Sequence, residues 1–343
     1  MPFKHICKTL YLLCLLSFFS GGDVQARERE YTIQGRTMGT FYTVKLVSAK
    51  KQSIALWQKK IDTRLQQINT GLSMYDPASQ ISQFNRIGAH QPYRLSKDFF
   101  QVMQTAAQIY RLTNGAWDGT VKPLVDIWGF GTKKIPDSPP DKSAITDALS
   151  CTGFHRLVLE NTHVFKKKAC ITLDLGSIAK GYGVDALAQV LAASGIDNFL
   201  VEIGGELYGS GVNRRKNPWT VGITNPGAKS SDQGFYKVIT LDNRAIATSG
   251  NYRNFFDMEG KTYSHIIDPT TGFPVDNQVL SVSVIAQNGT FADGLATGLM
   301  VMDPADAIDL VNRLEDVECL IIQKTNTSFR EITSRRFHTF VQP

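Results

Sequence analysis

Three stretches of this chain carry residue types suited to holding an anion, a hard cation and a proton. Asp174-Leu175-Gly176-Ser177-Ile178-Ala179-Lys180-Gly181 passes from the end of a predicted strand into a predicted helix, with Ser177 as its expected N-cap and Lys180 one turn inside. Free backbone N–H groups, the positive end of the helix dipole and a lysine suit a phosphate or another anion. A capped helix with a solvated lysine fits the same residues. In Phe291-Ala292-Asp293-Gly294-Leu295-Ala296-Thr297, Asp293 and Thr297 stand four apart on a predicted helix and share a face. A carboxylate and a hydroxyl so placed are hard oxygen ligands for Mg²⁺ or Ca²⁺, with water or phosphate completing the shell. An aspartate near a helix start also serves as a cap, and a threonine as half-buried filler. The third stretch, Tyr263 to Pro274, ends a strand and enters a turn marked by Asp268-Pro269 and Thr271-Gly272. There His265, one of six histidines, lies near Asp268, a carboxylate able to orient it or share its proton. A turn with a hydrogen-bonded histidine is the plainer alternative.

Weaker signals accompany these. Val201 to Glu206 reads as a strand running into a tight Gly204-Gly205 turn, and paired glycines let backbone approach a ligand closely, though they also make ordinary hairpins. Thr248 to Arg253 precedes the histidine turn. Met38-Gly39-Thr40, Tyr75-Asp76-Pro77 and Ala116-Trp117-Asp118 set apolar or aromatic surface beside polar groups, as a site for a planar ring would, or as core residues would. No phosphate loop of the usual nucleotide type is present: Gly209-Ser210-Gly211 lacks the third glycine of the dinucleotide fingerprint.

Strands and helices in mixed order must position these groups. Tyr31 to Val47 alternates as a strand, with Tyr42, Val44 and Leu46 on one face, and Ile54 to Ile68 has helical spacing. A second helix runs from an N-cap at Ser96 to Leu112, and the Pro-rich segment Ile135 to Asp141 is a loop. From Phe154 onward short strands dominate: Arg156–Glu160, Ala169–Leu173, Asn198–Ile203, Trp219–Ile223, Tyr236–Leu241 and Val279–Ala286. Helices are predicted at Ser177–Ser194, Phe291–Met302 and Ala305–Arg313. The fold class expected is α+β, with a largely antiparallel β-sheet core and flanking helices.

The chain begins with Lys4 and Lys8 ahead of an apolar run from Leu10 to Phe19, followed by Val24-Gln25-Ala26. That order is the form of a signal peptide, expected to span residues 1–26, with a single domain over 27–343. The run is short for a membrane span, which needs roughly 20 apolar residues. Leu13 before Cys14 argues against a lipid-modified cysteine. The implied compartment is the periplasm, reached by secretion across the inner membrane. Setting aside Lys4, Lys8 and Asp23 reduces the net charge from +6 to about +5. This mild excess suits an anionic ligand or peripheral association with an anionic membrane, and lacks the clustering expected of a nucleic-acid binder. Beyond the leader remain Cys151, Cys170 and Cys319, which cannot all pair; if a bridge forms, Cys151 and Cys170 are nearest in sequence.

Taken together and in order, these stretches resemble the ApbE family of FAD:protein FMN transferases. The resemblance rests on Thr37 to Thr40, Leu72 to Pro77, Thr113 to Asp118, Pro123 to Gly129, Asp174 to Gly181, Glu202 to Gly205, Thr248 to Tyr252, Ser264 to Gly272 and Ala292 to Thr297. It implies an ApbE-like, T-fold-related architecture, and Mg²⁺-dependent transfer of FMN from FAD to a Thr or Ser hydroxyl of an acceptor protein, with AMP released. FAD would lie against Met38, Tyr75, Ala116, Trp117, Asp118, Asp174, Lys180, Ile266 and Asp268. The metal would be held by Asp293, Thr297 and a backbone carbonyl near Ser177, and His265 would be catalytic. The implied partner is a redox subunit with a Thr/Ser flavinylation motif, and no nucleic acid. An FAD pyrophosphatase, in which water replaces the acceptor, would use the same metal site. A flavin-storage protein would need neither Asp293 nor His265.

Overall fold

The computed structural model describes residues 28–342, apart from 132–134, 227–233, 252–254, 259 and 327. The leader expected at 1–26, and Tyr252 and Arg253, lie outside the described residues. The main element is an eight-stranded sheet whose strands follow one another in space as in the chain. They are Arg29–Thr37, Thr40–Ser48, Asn198–Ile203, Glu206–Ser210, Arg244–Gly250, Val279–Ala286, Glu318–Lys324 and Phe329–Thr333. Every neighbouring pair is antiparallel, and with the flanking helices this is the α+β fold expected.

Strand alternation explains why the sheet is covered on both faces. Ala247, Val282, Val284 and Ile321 join a core built with the helices Lys97–Leu112, Gly176–Ala192 and Gly289–Val301. Their neighbours Ile246, Ile285, Leu320 and Ile322 face the opposite way, onto Val221, Ile223, Ile239 and Leu241. Those four come from the antiparallel pair Trp219–Thr224 and Phe235–Leu241. A period of two with both faces apolar is what a sheet between two layers requires. Tyr42, Val44 and Leu46 share a buried face as predicted, packed on the helix Ile54–Leu72 through Trp57, Ile61 and Leu65.

Three expectations are corrected. The single strand Tyr31–Val47 is a hairpin, because Met38 and Gly39 both take positive φ, 49° and 73°, and turn the chain in two residues. The segment Ala169–Leu173 is not a strand. Its backbone is satisfied by side chains instead: the buried Lys166 ammonium donates to the carbonyls of Ala169 and Ile171, and the Asn85 amide bonds both the N–H and the C=O of Leu173. The helix expected to begin at an N-cap Ser177 spans Gly176–Ala192 and is capped at Leu175, which makes no side-chain cap bond. Asp174 takes the Gly176 N–H at 2.9 Å in that role.

Cys151 and Cys170 form a disulfide, and Cys319 is a buried free thiol. The bridge ties the end of the helix Lys142–Ser150 to the segment that feeds Asp174 into the site. Reduction, or Cys151→Ala with Cys170→Ala, should lower the unfolding free energy by about 3 kcal/mol on a loop-closure argument across a sequence separation of 19. Urea midpoints with and without a dithiol check this. Among the described residues, no helix is long and apolar enough to cross a membrane.

Candidate active site

Two helices meet where the chemistry gathers. Gly181 and Gly289 face each other so closely that a Cβ on either would collide with the other's backbone carbonyl. The crossing brings Asp293 beside the first turns of the helix Gly176–Ala192, where its Oδ2 accepts the Gly181 N–H at 2.9 Å. The second helix is seated by Asp185, whose carboxylate takes the N–H groups of Gly289 and Thr290 at 2.6 and 2.8 Å. Gly181→Ala should therefore disturb the site as well as the fold, because its Cβ would also lie 2.7 Å from that of Asp293. Overpacking of this kind costs about 1–3 kcal/mol. A lowered melting temperature together with lost activity is the expected result.

Lys180 stands between two carboxylates. Its Nζ lies 2.7 Å from Glu206 Oε1 and 3.8 Å from Asp293 Oδ1. Burial alone would push the lysine down, but Asp293 and Glu206 outweigh it and hold the ammonium above its ordinary value. Burial pushes Asp293 up, opposed by Lys180 and the Gly181 N–H. Glu206 is raised to about 7, by burial first and by the charge of Asp293 second, against the pull of Lys180. Asp293 and Glu206 are only 3% and 4% exposed. The Oε2 atom of Glu206 is buried without a hydrogen-bond partner.

Hydroxyls complete this pocket. Thr297, one turn after Asp293, exchanges a 2.9 Å hydrogen bond with Ser249 of the strand Arg244–Gly250. Gly204 and Gly205 turn with φ of +62° and +106°. A Cβ on Gly204 would lie 2.8 Å from Thr40 and 3.3 Å from the Lys180 side chain. Met38 rests its thioether over Gly183 of the same helix. Thr40, Gly204, Lys180, Glu206, Asp293, Thr297 and Ser249 are thus linked by neighbouring contacts, and Met38 packs at Gly183 on the same helix as Lys180.

Other expected site residues surround this group in different ways. Trp117 is 2% exposed and donates from Nε1 to Ser177 Oγ at 3.0 Å, which anchors the helix start. Asp118 is turned inward: Oδ1 accepts from the Thr120 N–H and hydroxyl, and Oδ2 from the Phe154 N–H. Ala116 is half-buried, and Tyr75 stands 84% exposed. Asp174 is raised by burial and feels the charges of Lys122 and Asp126, a pair 2.6 Å apart.

His265 is half-buried, with its ring edge-on to Phe130 at 6.4 Å between centroids. Its neighbours Ile266 and Ile267 are anchored in separate apolar clusters, and Trp128 pins the turn by donating to the Gly272 carbonyl at 2.8 Å. Asp268 spends its oxygens within that turn, on Thr270 and Thr271.

The donor set fits a hard cation. Asp293 Oδ1 has Lys180 at 3.8 Å rather than a tight hydrogen bond, and the Thr297 hydroxyl follows one turn later. Among the described residues no three His, Cys, Asp or Glu side chains cluster as a metal cage. One carboxylate with hydroxyl, water and phosphate ligands is how Mg²⁺ is commonly held.

Comparison with known proteins identifies the family. The ApbE family model matches residues 38–321. The chain belongs to the ApbE family. An FAD:protein FMN transferase of Vibrio cholerae is 37% identical over 334 residues, covering 96% of this chain and 98% of that one. The FAD:protein FMN transferase of Escherichia coli K12 is 34% identical over 340 residues, 96% of each. The solved structure of the flavin transferase ApbE from Vibrio cholerae superposes with a TM-score of 0.83 at 38% identity, over 91% of this chain and 99% of that chain. The ApbE protein of Thermotoga maritima gives 0.78 at 28% identity, over 92% and 100%.

For this ApbE-family chain, Glu206 is the residue that motif reading passed over. The available cue is an acid directly after a Gly-Gly turn, opening a strand.

Proposed function

We propose that this ApbE-family enzyme transfers FMN from FAD to a Thr or Ser hydroxyl of an acceptor protein, with Mg²⁺, forming a phosphoester and releasing AMP. The observation that carries this reading is the half-buried Lys180 between the buried carboxylates of Glu206 and Asp293 at the start of the helix Gly176–Ala192, which pairs an anion-binding group with a cation ligand. The transferases to which the chain is similar act on FAD and a protein.

Asp293, Thr297 and the backbone carbonyl at Ser177 would hold the metal, which neutralises pyrophosphate charge when bound. Lys180 and the first N–H groups of its helix bind pyrophosphate oxygens. Met38, Tyr75 and the Ala116 to Asp118 segment would bound the flavin ring. His265 takes the proton from the acceptor hydroxyl as its oxygen bonds to the FMN phosphorus; the bridging P–O bond breaks and AMP leaves with that electron pair. Positioning and charge stabilisation supply most of the rate in such in-line transfers. The burial of Glu206 and Asp293 beside Lys180 also bears on transfer versus hydrolysis, since water must be kept from the position of attack.

The acceptor is read as a redox subunit with a Thr/Ser motif, and the compartment as the periplasm. The Cys151–Cys170 disulfide supports an oxidising location, and the basic excess allows peripheral membrane association. Metal dependence is tested by following AMP release from FAD. AMP formation that stops on chelation and returns with Mg²⁺ is expected, and undiminished formation in excess chelator would overturn the metal's role.

A further inference from the structure

Glu206 stands beside Lys180 in the reading above but is given no task of its own there, and it is among the most buried carboxylates of the described residues. It opens the strand Glu206–Ser210 directly after the Gly204-Gly205 turn, and the Lys180 side chain passes beside that turn. Its Oε1 holds Lys180 Nζ at 2.7 Å, while Asp293 Oδ1 stands off at 3.8 Å. The lysine thus has two carboxylates within reach and is bonded to one. Its other two N–H groups are left for ligand oxygens.

We propose that Glu206 is a positioning residue that engages Lys180 and so keeps the ammonium from closing on Asp293, leaving Asp293 Oδ1 open to a divalent cation. This rests on the reading of Asp293 as a metal ligand. The geometry supports it in two ways. If Glu206 is neutral or withdrawn, Asp293 is the nearest remaining carboxylate, and a lysine paired with it competes directly with a metal. Glu206 also commits to the lysine through Oε1 alone, its Oε2 being buried with no geometric hydrogen-bond partner among the described residues.

The test is Mn²⁺ binding to the FAD-free protein, read as loss of the free-ion electron paramagnetic resonance signal. Glu206→Gln is expected to bind Mn²⁺ about tenfold more weakly than wild type, within the usual range of coupling between contacting groups. Glu206→Asp keeps the charge but withdraws the oxygen by one methylene, and should weaken binding too. Adding Lys180→Met to Glu206→Gln removes the competing ammonium and should return affinity to within about threefold of wild type, as a double-mutant cycle requires. Melting curves of the single and double variants show separately that each is folded.

Wild-type affinity in Glu206→Gln would overturn the proposal. So would a double variant as weak as the single, or wild-type affinity in Glu206→Asp, which would mean that charge alone acts. Wild-type protein that binds no Mn²⁺ would instead overturn the metal reading of Asp293, and this inference with it.

Discussion

Asparagine in place of Asp293 should stop transfer almost completely, by roughly 10³-fold or more, because the cation it would hold contributes several kcal/mol of charge stabilisation. The substitution is chosen to leave the fold intact. Asn keeps an oxygen to accept the Gly181 N–H, now bonded at 2.9 Å, so the crossing of the two helices retains its contact. Asp293 is 3% exposed and raised by burial, so the folded state gives up little in losing the charge. The expected pattern is near-normal or raised thermal stability with lost activity, read by melting curves beside AMP release. Activity within tenfold of wild type would remove Asp293 from the metal site.

His265→Ala should lower transfer by about 10²- to 10⁴-fold, the usual range for a general base, with a smaller change in the KM for FAD. The turn keeps its other anchors when the side chain is removed, because Ile266 and Ile267 are buried in separate apolar clusters and Trp128 donates to the Gly272 carbonyl. The ring packs edge-on against Phe130. If kcat persisted and only KM rose, the histidine would be a binding group and the proton would leave by another route.

The site was legible in the sequence where local rules suffice. Ser96 caps its helix as read, its hydroxyl accepting the Phe99 N–H at 3.3 Å, and the four-residue spacing of Asp293 and Thr297 sets both on the face that meets Ser249. What stayed hidden depends on partners distant in the chain. Glu206 becomes a site carboxylate only because sheet and helix packing bring it to Lys180, 26 residues earlier. Ala169–Leu173 has strand-like composition, yet Lys166 and Asn85 take its backbone bonds. Ser177 has the residue type of a cap, but Trp117, 60 residues away, claims its hydroxyl. Trp117 and Asp118 read as flavin contacts by motif, while in the fold their polar atoms serve the helix start and the Thr120 and Phe154 backbone.

The most direct measurement is the intact mass of an acceptor protein carrying a Thr-containing flavinylation motif, after incubation with the enzyme, FAD and Mg²⁺. A mass increase of one FMN unit with one AMP released per acceptor, absent when the motif Thr is replaced by Val, is the predicted result. AMP and free FMN with the acceptor mass unchanged would contradict transfer and leave hydrolysis of FAD as the reaction.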